Sequence, residues 1–393
     1  MKKVLFTLVF ALFCLVAGAK RTTVLISLDG FRWDYSETYN TPFLDALGTR
    51  GVTAIMRPSF PSKTFPNHYT IATGLTPNRH GIISNTFYDK SSGLTFSLGN
   101  PQTKQDPRFW KGEPIWITAQ KQGLRTATVY WPGSDVAIEG RHPDIWHNYE
   151  QKPLLSFAAR IAEVERLLRL PEAERPHLVM AYFEEPDHNG HHYGPSSKQT
   201  RAVVEQADML LQLLYDEIQT LSYADSINLI VTSDHGMTRT SSERFINLND
   251  LVPAAWVERT LYDIPVQIFP KKGYEKKILE ALKHTPHISV WRKSEVPAYL
   301  EYGSNENIGD IIVLPDLGWY VGIKPYHLRG AHGYDPTNSD MQVIFRAAGP
   351  NFKQGYTRSA TFQNTDIYGL LCRILSLSPA PTEGKGEAFD LLR

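Results

Sequence analysis

Apolar runs alternate along the chain with stretches of helical periodicity. Residues 22–28, "TTVLISL", form an unbroken apolar run that stops at Asp29-Gly30. Such a run predicts a strand buried on both faces. "TPFLDALGTRG" follows, with Pro42 near its start and Gly51 just past its end, the punctuation of a helix. "GEPIWITAQKQG" predicts a helix, and "RTATVYW" a strand after it. In "SFAARIAEVERLLRL", 156–170, apolar residues recur three and four apart, which predicts an amphipathic helix. "HLVMAYF", 177–183, reads as a second buried strand ending in "EEPD". A long helix is predicted over roughly 197–221. "INLIVTS", 227–233, gives a third strand that ends at Asp234-His235-Gly236.

From about 240 to 330 the pattern changes. Short strands ("IPVQIFP", "DIIVLP", "WYVGI") mix with one helix near 274–283 and with many Pro, Tyr and Trp. This segment is expected to be an inserted subdomain or lid. "SDMQVIFRAAGP" returns to a core strand, and "NTDIYGLLCRILSL" closes with a helix capped by Asn or Thr. Alternating strands and helices of this kind predict an α/β fold with a mostly parallel sheet covered on both faces.

Composition narrows the class. The first nineteen residues carry two lysines, an apolar run and a small-residue ending at Ala19, so they read as a secretory signal cleaved after Ala19. Removal takes Cys14 and leaves Cys372 alone, which excludes an intrachain disulfide in the remaining chain of about 374 residues. No later run of eighteen apolar residues predicts a membrane anchor. Residues 20–393 are expected to form one catalytic domain, exported to the periplasm or secreted. Lysine and arginine (41) balance aspartate and glutamate (41), so no long nucleic acid is expected as a partner. No protein partner is implied.

Three predicted strands end in the same way, with an apolar run and then Asp29, Asp187 or Asp234. In open α/β sheets ligands bind outside the carboxyl ends of the strands. "EEPDHNGHHYGP" sets Asp187 and His191 four apart, but Pro186, Gly190 and Gly194 predict a loop rather than a helix. Spacing leaves His188 and His192 open as alternatives to His191. "TSDHGM" offers Asp234 and His235, and "RGAHGYDP" offers His332. Carboxylates and imidazoles without thiolates suit zinc better than manganese or iron. Six ligands exceed one tetrahedral zinc and fit two. His142, His147, His177, His284, His287 and His327 lie in no such cluster, and His68 and His80 are expected to hydrogen-bond locally. The stretch "SFPSKTFPNHYTIATG", 59–74, taken alone, reads as a helix start with Thr64 as N-cap and Pro66 in the first turn.

Taken together, "LISLDGFRWDY", "FPSKTFPNHYTIATGLTPNRHGI", "SNTFYD", "KGEPIW", "WPGSD", "YFEEPDHNGHHYGP", "TSDHGM" and "HGYDP" resemble the nucleotide pyrophosphatase/phosphodiesterase family of the alkaline phosphatase superfamily. The resemblance runs from about residue 22 to the C-terminus. It is to a compact, bacterial-type member without the somatomedin-like and nuclease-like domains of larger animal members. The resemblance implies a three-layer α/β/α, alkaline-phosphatase-like fold and two Zn2+ per chain. It makes Thr64 the nucleophile and, with Asp29, Asp234 and His235, a ligand of one zinc. Asp187, His191 and His332 hold the other, the family pattern choosing His191 over its neighbours. Asn85 bonds the phosphoryl oxygen, Phe65 and Tyr149 stack on a nucleobase, and Lys104 contacts the nucleotide. The implied reaction passes through a covalent phospho-threonine and releases a nucleoside monophosphate.

Some threonine-dependent phosphatases of the superfamily carry a Lys-x-Arg pair where this chain has Trp131-Pro132-Gly133. Without cations for a monoester dianion, that apolar wall favours a diester. The alternatives weighed are a choline-headgroup or glycerophosphodiester phosphodiesterase using an aromatic cage, a phosphate monoesterase, and a catalytically silent binding protein.

Overall fold

The computed structural model describes residues 21–393. The expected signal segment and Cys14 lie outside the described residues. The central sheet runs in the order Tyr356–Thr357, Val52–Arg57, Val343–Ala348, Ile227–Thr232, Thr22–Leu28, Leu178–Phe183, Thr126–Val129 and Ile145–His147, with Phe362–Gln363 also pairing Val52–Arg57. The strand Thr22–Leu28 lies between Leu178–Phe183 and Ile227–Thr232 and is parallel to both. The strand Val343–Ala348 is antiparallel to both its neighbours, so Val52–Arg57 runs the same way as the central three. The mostly parallel α/β sheet expected from the sequence is therefore present, with one antiparallel member.

Both faces are covered, and the strand residues alternate between them. Val24, Ile26 and Leu28 pack with Leu47, Val164, Leu167 and Leu211 from the helices Pro42–Arg50, Phe157–Leu168 and Lys198–Gln219. Leu25, Met180 and Ile230 face the other way, toward Tyr69, Trp116 and Leu370 of the helices Thr64–Thr73, Ile115–Lys121 and Asp366–Ile374. This is a three-layer α/β/α sandwich. The caps differ in detail from expectation. Thr365 precedes the last helix but makes no side-chain cap bond.

Within the 240–330 segment, Val257–Leu261, Val266–Pro270, Ile311–Pro315 and Ile288–Arg292 form a separate antiparallel sheet. Val266, Ile268, Ile311 and Val313 bury one face of it against Ile278 and Leu282 of the helix Glu275–Leu282. Tyr320–Gly322 is a strand too, but it pairs with Phe245–Asn247 instead.

Parallelism decides where the chemistry lies. The strands Thr22–Leu28, Leu178–Phe183 and Ile227–Thr232 are parallel neighbours, so Asp29, Asp187 and Asp234 leave the sheet at one edge. The strand Val52–Arg57 feeds the loop to Thr64 at that same edge.

Candidate active site

Thr64 opens the helix Thr64–Thr73 as its first helical residue. The N-cap is Lys63, with extended backbone and no side-chain cap bond. The N-cap role expected for Thr64 is thus corrected. Its hydroxyl is not spent on the helix, and its Oγ lies 3.2 Å from His235 Nε2. The helix N-terminus places aligned peptide dipoles behind it, a setting that favours anions.

The expected loop at 184–195 is also corrected. Asp187–Tyr193 is a short helix. Pro186 precedes it and Gly194, with φ of 90°, ends it, so neither interrupts it. Only Gly190 is internal. A side chain there would press within 3.1 Å of Met237, so the close approach explains the glycine. Helical spacing turns Asp187 and His191 to the same face. It also leaves His188 and His192 exposed on the other, which separates the three histidines that spacing could not.

Two groups of three side chains result. Asp29, Asp234 and His235 form one, and Asp187, His191 and His332 the other, with ligand atoms within 4.8 Å of one another in each. The groups adjoin. The rings of His235 and His332 stack at 3.5 Å, and the Asp187 amide donates to the Asp29 carbonyl at 2.9 Å. Gly30 makes this approach possible: it has φ of 71°, and a Cβ on it would lie 2.9 Å from Asp187 Cα.

Each imidazole is oriented by a backbone carbonyl. His191 Nδ1 pairs with Gly330 O at 2.8 Å, His235 Nδ1 with Gly236 O at 2.9 Å, and His332 Nδ1 with Ser62 O at 2.8 Å. An Nδ1–H that donates to a carbonyl leaves the Nε2 lone pair for a metal, the usual outer support of a ligand histidine. Carboxylates are supported as well. Tyr182 Oη donates to Asp29 Oδ2 at 2.6 Å, and the Gly30 amide and Ser233 hydroxyl donate to Asp234 Oδ1 at 3.2 Å each.

The electrostatics pull in opposite directions. Burial pushes the Asp187 carboxyl up. Burial and then the neighbouring Asp29 push Asp234 well above the usual carboxylate range. Burial opposes the Asp29 charge too, but hydrogen bonding and attraction from His235 outweigh it and hold Asp29 low. Burial would lower His235, yet Asp234 and Asp29 raise it to about 9. Burial drives His332 well down, helped by the charge on His235. Asp29 Oδ1, Asp187 Oδ1 and Asp234 Oδ2 are buried, and each has an imidazole Nε2 nearby, at 3.2, 3.3 and 3.1 Å, without a well-aligned hydrogen bond. Three aspartates crowded this closely, with three imidazoles beside them and no thiolate, form an N/O donor set of the zinc type that suits divalent cations.

Both clusters border a cavity of about 290 Å³. Its lining includes Asp29, Thr64, Asp187, His191 and His332, together with Phe65, Asn85, Lys104 and Tyr149. Asp234 and His235 lie behind them, fully buried. Asn85 Oδ1 accepts the Phe65 amide at 3.0 Å, so the amide NH2 is what Asn85 can offer a ligand. Trp131 and Pro132 supply apolar wall. Lys104 is the one Lys or Arg side chain in this lining and is paired with Glu150.

Sequence reasoning missed several supports. Tyr182 was hidden inside an apolar strand. His68 keeps a local bond to Thr64 O, but its Nε2 also lies 2.9 Å from Ser27 Oγ and its Nδ1 3.4 Å from Asp234 Oδ2. His147, set aside from the sequence, pairs with Glu163 at 3.0 Å and lines the cavity. Tyr182 and His147 have no spacing signal, because each reaches the site from its own strand, while His68 lies one turn beyond Thr64 on the same helix.

Comparison with known proteins identifies the family. The family described as "Type I phosphodiesterase / nucleotide pyrophosphatase" matches residues 23–335. The human "Ectonucleotide pyrophosphatase/phosphodiesterase family member 1" is 38% identical over 387 residues, 94% of this chain and 41% of that protein. A venom phosphodiesterase of Macrovipera lebetinus is 38% identical over 94% of this chain and 45% of its own length. The chain thus spans less than half the length of these curated relatives. Among solved structures, murine ectonucleotide pyrophosphatase/phosphodiesterase 5, an inactive threonine-to-alanine variant in complex with AMP, superposes with a TM-score of 0.90 at 33% identity, covering 95% of this chain and 100% of that one. The human form of that protein gives a TM-score of 0.88 at 36% identity, with the same coverage. With a family match over most of its length and a shared overall fold, the chain belongs to the type I phosphodiesterase/nucleotide pyrophosphatase family.

Proposed function

We propose that this chain is a zinc-dependent nucleotide pyrophosphatase/phosphodiesterase. It hydrolyses a phosphodiester or pyrophosphate bond of a nucleotide and releases a nucleoside monophosphate. The observation that carries the reading is the cavity in which Thr64, two metal-type clusters and the rings of Phe65 and Tyr149 meet.

Asp29, Asp234 and His235, with Thr64, are the residues for one zinc; Asp187, His191 and His332 are those for the other. Such a metal pair supplies a lowered pKa for the attacking hydroxyl and neutralises charge on the phosphoryl oxygens. Thr64 gives up its hydroxyl proton to water and its Oγ attacks phosphorus in line with the leaving oxygen. The bond to that oxygen breaks, the leaving group takes a proton from solvent, and a phospho-threonine remains. Water then attacks the same phosphorus and frees the Thr64 hydroxyl. Asn85 donates its NH2 to a non-bridging oxygen, where charge builds in the transition state.

The nucleoside end is held by stacking on Phe65 and Tyr149, worth about 1–3 kcal/mol per base. Lys104 rests beside Tyr149, its Nζ 5.7 Å from the ring centroid, and is placed to meet a polar group of the nucleotide. The Trp131-Pro132 wall and the pairing of Lys104 with Glu150 leave little to hold a monoester dianion, which supports a diester. The AMP bound by the murine relative and its inactive threonine variant support the nucleotide and threonine parts. Residues 20–393 are read as one catalytic domain with an insertion at about 240–330. No helix among the described residues is long and apolar enough to cross a membrane. We place the protein in the periplasm or secreted, from the character of residues 1–19.

The aromatic lining, with Tyr130, Trp131 and Tyr182 beside Phe65 and Tyr149, is the observation that favours a second reading, a choline headgroup in an aromatic cage. Rates on nitrophenyl thymidine monophosphate, nitrophenyl phosphorylcholine and nitrophenyl phosphate decide between them. Preference for the thymidine ester, lost on chelation and restored by zinc, is expected. Preference for phosphorylcholine moves the substrate to lipid headgroups, and preference for nitrophenyl phosphate overturns the diester argument.

A further inference from the structure

Asp263 stands on the connection between Val257–Leu261 and Val266–Pro270, the first two strands of the four-stranded sheet. It lines no part of the cavity, yet it holds both catalytic segments. Its Oδ1 meets Lys63 Nζ at 2.5 Å, and its Oδ2 accepts the Ser84 hydroxyl at 2.9 Å. Lys63 directly precedes Thr64, and Ser84 directly precedes Asn85. The Phe65 amide donates to Asn85 Oδ1, which completes a ring: Asp263, Lys63, Thr64, Phe65, Asn85, Ser84 and back to Asp263.

Every link of this ring is sheltered. The side chains of Lys63 and Asp263 are 10% and 23% exposed, and Ser84 is buried. Asp263 Oδ1 also accepts its neighbour's amide, Ile264 N, at 2.8 Å, which fixes its rotamer. Tyr302, from the same segment of chain, donates to Ile83 O at 3.1 Å and braces the Asn85 side. The ring constrains the separation between the nucleophile and the group that meets the phosphoryl oxygen. Charge-assisted bonds of this kind hold geometry better than neutral ones.

We propose that Asp263 is a positioning residue that sets the Thr64–Asn85 spacing, so that the four-stranded unit is part of the catalytic apparatus. This rests on the roles proposed above for Thr64 and Asn85. A misplacement of about 1 Å can cost about a hundredfold in rate.

The test uses the full zinc-loaded chain with Asp263→Ala and Asp263→Asn, and thymidine ester turnover as the first readout. The expected result for Asp263→Ala is a kcat at least tenfold lower, with KM and zinc content unchanged. Asp263→Asn, which keeps an acceptor for Ser84, loses less. In the Asp263→Ala background, Asn85→Ala costs less than it does in the wild type. A purely structural role gives additive losses instead, and that outcome overturns the proposal, as does an unchanged kcat. Amide hydrogen exchange over 62–66 and 83–86 supplies a readout independent of turnover. Faster exchange in both segments is expected in Asp263→Ala, the Phe65 amide included, and unchanged exchange overturns the inference. A wild-type chain inactive on every ester refutes the functional reading alone, because the exchange measurement still decides on Asp263.

Discussion

Replacing Tyr182 with phenylalanine isolates one outer contact of the site. Tyr182 Oη donates to Asp29 Oδ2 at 2.6 Å inside a buried cluster. Its ring packs edge-on against His68 at 5.0 Å, a contact that phenylalanine keeps. Burial, and then the charge of Asp29, hold the phenol well above its ordinary pKa, so it stays a donor at any working pH. A hydrogen bond to a charged group is worth about 1.5–3 kcal/mol. At about 1.4 kcal/mol per decade, this is a loss of about ten- to a hundredfold in zinc affinity. Loss of outer support for metal ligands falls in the same range of about 10–100-fold. The assay is chelator competition with the purified chain, followed through two zinc equivalents. One equivalent, the one held by the Asp29, Asp234 and His235 group, is expected to weaken while the other stays. Affinity within twofold of wild type refutes the reasoning. Equal weakening at both sites refutes its local character.

Further outcomes follow from the same geometry. Thr64→Ala is expected to lower turnover about a thousandfold or more while zinc content, measured by mass spectrometry, stays at the wild-type level; retained turnover excludes the covalent route. His80 is buried with its pKa driven to about 3, because burial outweighs its bonds to backbone groups. A histidine lowered in the folded state binds more protons unfolded, so its contribution is present above about pH 6.5 and is lost as pH falls toward 3. Between pH 6.5 and 5 that loss is about 2 kcal/mol, and denaturant titrations of wild type against His80→Gln should show it as a shallower pH dependence in the variant. Burial likewise pushes the Cys372 thiol up to about 12. It should resist a neutral-pH thiol reagent in the folded chain and react on unfolding, as peptide mapping of the labelled residue will show.

Much of the arrangement was legible in the sequence because it depends on local signals. Apolar runs that lead to aspartate marked Asp29, Asp187 and Asp234 just beyond strand ends, and the switch to short strands near 240 marked the stretch that carries the four-stranded antiparallel sheet. The motif resemblance then selected Thr64, Asn85, Phe65, Lys104, Tyr149 and His191, and all six border one cavity. Local rules failed where the surroundings decide. Pro186 and Gly194 look like helix breakers, yet they stand at the helix boundaries, and Gly190 is admitted because Met237 packs against it. Thr64 looks like a cap, yet Lys63 takes that position and leaves the hydroxyl for the site.

What the sequence determined by itself was therefore which residues carry chemistry and where most strands and helices run, since periodicity and turn residues act over a few positions. Only the tertiary structure decided what they do together. Parallel pairing of three strands brought Asp29, Asp187 and Asp234 from distant parts of the chain to one edge. Backbone carbonyls of Ser62, Gly236 and Gly330 aimed the imidazoles, and Asp263 tied two catalytic segments to a distant sheet. Apart from the neighbouring His235 and Gly236, these partners have no period or spacing along the chain, because hydrogen bonds and charge act through space.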